Sequence, residues 1–139
     1  MRFSDLADRS VVVWGYGREG ASVTAHLRDL GVAVSVAEPD LTAGEPTRDG
    51  VEFAYGAAGR TALLAADAVV KSPGVPVTHE LYVALRDAGV AVTSLTDLWV
   101  GDNAARTVAV TGSKGKSTTA SLLHHVLRHA GIDADLRGN

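Results

Sequence analysis

Val11-Val12-Val13-Trp14-Gly15-Tyr16-Gly17-Arg18-Glu19-Gly20 is the stretch on which the fold turns. Its first four residues are β-branched and aromatic, the composition of a strand buried on both faces. The next six form a GxGxxG loop. Gly15 permits a tight turn, Gly17 lets a phosphate approach the backbone, and Gly20 allows a helix to pack closely on the strand. A helix is expected over 17–30, with Ala21, Ala25 and Leu27 on its packing face and Gly31 at its end. A helix opening on such a loop offers free N–H groups and a partial positive charge to an anion. Glu38 stands at the end of the next apolar run, where a carboxylate can accept hydrogen bonds from a ribose or base. Taken alone, this unit reads as a dinucleotide binder.

Outward from this stretch, apolar runs and helical stretches alternate. Strands are expected over 33–37, 51–55, 68–71 and 90–93. A loop is expected over 41–50 (it holds Gly44, Pro46, Asp49 and Gly50), and helices over 60–66 and from a Thr78 cap to Ala88. Residues 96–100 read as a short helical turn and 101–106 as a polar connector. A new strand over 107–111 then leads through a second glycine loop into a helix over 116–130. This alternation predicts an α/β fold. The expected architecture is a Rossmann-like, doubly wound parallel sheet, followed by a strand–P-loop–helix unit that would be the first of an ATPase domain if the second glycine loop holds a nucleotide. The expected divisions are 1–101, a linker at 102–106, and 107–139.

The second loop, Thr111-Gly112-Ser113-Lys114-Gly115-Lys116-Ser117-Thr118, departs from the full P-loop pattern only in its first glycine, whose place Val110 takes. Backbone N–H groups around Gly112 and Gly115 can wrap a phosphate chain. Lys116 can reach its terminal phosphates, and the Ser117 hydroxyl can ligate Mg2+. Charge supports an anionic ligand here. Residues 1–106 carry nine basic and fourteen acidic side chains, whereas 107–139 carry four and two, against a chain total of −3. That small total does not speak for nucleic acid or membrane, and no apolar run is long enough for a membrane span. The absence of cysteine excludes a disulfide framework, a thiolate metal site and a cysteine nucleophile. A cytoplasmic monomer is expected.

Two such loops in this order resemble the Mur ligases of peptidoglycan synthesis, and most of all their glutamate-adding members. The resemblance rests on residues 11–20, on Val-Lys-Ser-Pro-Gly-Val at 70–75, on Val-Ala-Val-Thr-Gly-Ser-Lys-Gly-Lys-Ser-Thr at 108–118, and on Gly138-Asn139. It implies that the first domain holds the UDP of UDP-N-acetylmuramoyl-L-alanine rather than NAD. Gly15 would then belong to the UDP site, with Gly17, Arg18 and Glu19 facing the pyrophosphate and Glu38 the uracil end. Ser72 and Gly74 would approach from a neighbouring loop, and Asn139 would lie near substrate and metal. Gly112, Ser113, Lys114, Gly115, Lys116, Ser117 and Thr118 would hold MgATP, with Lys116 the catalytic residue and Ser117 on the Mg2+. The family reaction converts the alanine carboxylate to an acyl phosphate, which the glutamate amine attacks to form an amide.

Lys114 departs from the asparagine common in that loop and is shared with folylpolyglutamate synthases, which lack a comparable first domain. The Trp-Gly-Tyr-Gly-Arg-Glu-Gly stretch resembles a branch that attaches L-glutamate. The family's central domain continues past its P-loop, so the 139 residues are expected to be inactive as a ligase by themselves. The other readings are an NAD-binding oxidoreductase domain, supported by residues 15–20 and Glu38, and a non-catalytic nucleotide-binding module. His125 and His129 have a metal-like spacing but are expected to be solvated, and Trp14 and Trp99 to serve packing.

Overall fold

The computed structural model describes residues 1–137. The chain divides into two compact units, Met1–Ala104 and Ala105–Asn139. The first is built on a six-stranded sheet: β1 (Val11–Trp14), β2 (Val34–Glu38), β3 (Thr47–Arg48), β4 (Val51–Tyr55), β5 (Ala68–Lys71) and β6 (Ala91–Thr93). Its order is β3-β4-β2-β1-β5-β6. All pairings are parallel except β3 with β4. The sheet is therefore mixed, which corrects the expected all-parallel sheet. Asp49 and Gly50 both adopt positive φ, of 53° and 71°. That is the two-residue turn that folds a strand back on its neighbour.

Helices α1 (Arg18–Asp29), α2 (Gly56–Ala65), α3 (Glu80–Asp87) and α4 (Leu95–Asn103) cover the sheet. Alternation along β1 explains why both faces need cover. Val11 and Val13 join Val23 and Leu27 of α1 and Leu98 of α4 in one core. Val12 and Trp14 join Leu63 of α2 and Leu81 and Leu85 of α3 in the other. Trp14 is buried, its ring edge-to-face with His79 at 5.1 Å. Trp99, expected to pack, is instead 45% exposed on α4. His79 rather than Thr78 caps α3, its Nδ1 accepting the Leu81 N–H at 3.2 Å.

The stretch read as a polar connector is helical: α4 runs through Asn103 and a 3-10 turn occupies Ala104–Arg106. In the second unit the helix over the P-loop motif forms as expected, as α5 (Lys116–His129). The strand expected over 107–111 does not form. A strand is held by hydrogen bonds to neighbouring strands, and the described residues of this unit include no other strand. His125 and His129 are exposed, as expected, with their rings stacked at 5.6 Å. Among the described residues no helix is long and apolar enough to cross a membrane.

Candidate functional site

In the first unit the crossover from β1 leads outward to β2 and β4, while that from β5 leads to β6. The carboxyl ends of β1 and β5 therefore flank the point where the winding reverses, the place where open α/β sheets leave a crevice. A cleft of about 410 Å³ lies there, lined by Gly15, Tyr16, Gly17, Arg18, Glu19, Glu38, Ser72, Pro73 and Gly74.

Local chemistry fixes its walls. Gly15 has φ +91°, a left-handed conformation that glycine alone adopts freely. A Cβ there would also meet the Ser72 Oγ at 2.9 Å. That hydroxyl donates to the Gly15 carbonyl at 2.9 Å, and the Ser72 N–H donates to the Trp14 carbonyl at 2.9 Å, so the loops after β1 and β5 are tied together. Val75 N–H donates back to the Ser72 carbonyl, and Lys71 Nζ donates to the Val75 carbonyl at 3.1 Å, closing the second loop.

Helix α1 begins at Arg18, with Gly17 as its cap, a residue with no side chain to offer the free amides. The first intrahelical bond runs from Ala21 N–H to the Gly17 carbonyl at 2.9 Å, so the amides before Ala21 have no helical acceptor. These amides, the helix dipole and Arg18 suit a phosphate. A Cβ on Gly17 would meet nothing within 4 Å, so space is open in front of the cap. Gly20 is different: its Cβ would meet the Gly15 carbonyl oxygen at 2.0 Å. Close packing of α1 on the loop depends on it.

The structure thus brings Gly15, Gly17, Arg18, Glu19, Glu38, Ser72 and Gly74 to one cleft. Glu38 does more than face it. One carboxylate oxygen accepts the Tyr16 N–H at 2.6 Å, pinning the glycine loop to the end of β2. Sequence reasoning missed Tyr16 and Pro73 as lining residues; their signal lay inside the two motifs already singled out. It also missed Arg48, whose guanidinium lies 5.0 Å from the centre of the Tyr16 ring. The Asp49-Gly50 pair was the available signal for the hairpin that brings it there.

In the second unit Gly112 and Gly115 have φ of +146° and +77°, and Gly115 caps α5. Lys116 folds back to donate its ammonium to the Gly112 carbonyl at 2.6 Å. Ser113, Lys114, Ser117 and Thr118 are exposed along this loop and the first turn of α5. Asn139 lies outside the described residues.

Comparisons with known proteins agree with this geometry. A family model described as Mur ligase MurD-like, N-terminal domain, matches residues 9–94. UDP-N-acetylmuramoyl-L-alanine–L-glutamate ligases of Micromonospora sp. and Salinispora tropica are 47% and 49% identical over 133 residues, each match covering 91% of this chain. The UDP-N-acetylmuramoylalanine–D-glutamate ligase of Escherichia coli is 31% identical over 138 residues, 98% of this chain. The chain spans 29%, 30% and 32% of the length of these relatives. The matched segment holds the sheet, both cleft loops and Glu38, and on that match the chain belongs to the MurD-like family of Mur ligases, through their N-terminal domain.

Proposed function

We propose that Met1–Ala104 binds the UDP moiety of UDP-N-acetylmuramoyl-L-alanine, as the nucleotide-binding part of an ATP-dependent ligase that adds glutamate to that substrate in the cytoplasm. The observation that carries this reading is the cleft at the β1–β5 switch point, where the uncapped α1 terminus, Gly17 and the Ser72-Pro73-Gly74 loop meet. On this reading the pyrophosphate would sit at the α1 amides and Arg18, and the nucleoside toward Glu38. The greater identity to the L-glutamate-adding relatives, 47–49% against 31% for the E. coli D-glutamate enzyme, supports L-glutamate as the amino acid.

The loop at 112–118 is the proposed ATP site. Its two positive-φ glycines turn the backbone as a phosphate cradle requires, and its donors are the right kind for a triphosphate. Lys116 would exchange the Gly112 carbonyl for phosphate oxygens, and the Ser117 hydroxyl would hold Mg2+. Bound Mg2+ supplies charge neutralisation to the transferring phosphoryl group. The ligation proposed is transfer of that group to the alanine carboxylate, followed by attack of the glutamate amine on the acyl phosphate, releasing phosphate and leaving an amide.

Calorimetric titration of the 139-residue chain tests the cleft. At about −0.3 kcal/mol per non-hydrogen atom, a ligand of the size of UDP reaches a Kd of about 1–100 μM. UDP is expected to bind in that range and NADH to give no saturable heat. NADH binding without UDP binding would replace this reading with the oxidoreductase domain that the same glycine loop permits.

A further inference from the structure

The residues lining the cleft bring two carboxylates, Glu19 and Glu38, against one guanidinium, Arg18. A nucleoside diphosphate carries several negative charges; the α1 amides and Arg18 meet them at the phosphate end, whereas at the Glu38 end the lining offers no cation. Just outside the lining stands a second guanidinium. Arg48 sits on β3, held over the Tyr16 ring at 5.0 Å. Its ion-pair partner, Asp49, is 4.0 Å away and exposed, too weak a contact to hold it. What does hold it is a built platform. Tyr16 is fixed by Glu38 through its N–H and rests edge-to-face on Phe53 at 4.8 Å. The Asp49-Gly50 turn is pinned by Arg28, whose Nη1 donates to the Asp49 carbonyl at 2.6 Å.

Resting on the UDP reading above, we propose that Arg48 contacts the nucleotide, closing the nucleoside end of the cleft and selecting the base. The sheet order puts β3 and β4 beyond β2, on the Glu38 side of the cleft and away from Ser72 and Gly74. A planar group with five N–H donors and no acceptor reads carbonyl oxygens. Uracil carries a carbonyl at position 4, where cytosine has an amino donor that a guanidinium cannot pair with; cytosine keeps acceptors at O2 and N3, so the contact proposed for Arg48 is with the 4-position. Arg48 therefore favours uracil nucleotides over cytosine nucleotides.

The test is calorimetry of the unmodified chain and Arg48→Ala with UDP, UMP and CDP. The Arg48 side chain is 57% exposed, so the variant should keep the circular dichroism and melting temperature of the unmodified chain. Arg48→Ala is expected to bind UDP and UMP each about tenfold more weakly, with CDP changed by less than about twofold. A loss of less than twofold with UDP overturns the proposal. So does a loss that vanishes with UMP, which would put Arg48 on the terminal phosphate, or an equal loss with CDP. If the unmodified chain binds no UDP, the cleft reading itself fails. If it binds UDP and Arg48→Ala binds as tightly, only the assignment of Arg48 falls.

Discussion

Gly20→Ala is expected to lower UDP affinity by about 30-fold or more while the unit stays folded. In an ordinary helix, alanine is preferred to glycine by about 1 kcal/mol. Here the added Cβ would stand 2.0 Å from the Gly15 carbonyl oxygen and 3.0 Å from its carbon, both backbone atoms. The loop cannot retreat, because Ser72 donates to that same carbonyl and a Cβ-free Gly15 is already against the Ser72 side chain. Helix α1 must therefore move off the loop and carry its free amides with it. Losing one or two hydrogen bonds to a charged phosphate, at about 1.5–3 kcal/mol each, accounts for the weakened binding. Overpacking should also destabilise the unit by about 2 kcal/mol. Gly17→Ala is the comparison: its Cβ meets nothing within 4 Å, so the melting temperature should hold. A Gly20→Ala titration that superimposes on that of the unmodified chain would remove the helix terminus from the site.

Trp14→Ala should have the largest effect on stability. Trp14 is 1% exposed and lies among Leu63, Leu81 and Leu85 from two helices, with its ring against His79. Truncating a buried tryptophan costs about 3–5 kcal/mol. Small domains hold only about 5–15 kcal/mol in all. For a unit of this size the melting temperature should fall by about 20 °C, read by circular dichroism. A fall of less than about 5 °C would mean that the α2–α3 face is not closed by this residue. The same substitution connects core to site, because the Trp14 carbonyl accepts the Ser72 N–H.

The parts of this fold legible in the sequence are those with strong local signals. β1, its glycine loop and α1 are written in consecutive residues, and the strands at 51–55 and 68–71 stand out as short apolar runs. The cleft was legible because it is made of two motifs at strand ends, 15–20 and 72–74, that the parallel topology brings together. What escaped depends on contacts distant in sequence. The two-residue β3 has no periodicity of its own and exists only as the partner of β4. Arg48 reads as one more surface charge until the hairpin places it over Tyr16. Residues 107–111 show the reverse case: a strand-like run with no other strand among the described residues of its own unit to satisfy its propensity. Glu38 was legible as an acid at a strand end, but its bond to the Tyr16 N–H was not.

UDP bound in the glycine-loop cleft should perturb the backbone amides that line it. The direct measurement is an amide map of the isotopically labelled chain as UDP is added, followed by heteronuclear NMR. The largest shifts are predicted at Gly15, Gly17, Glu19, Glu38 and Gly74, the residues that line the cleft. Binding that leaves those amides unmoved, or moves only the amides of 112–118, would contradict it.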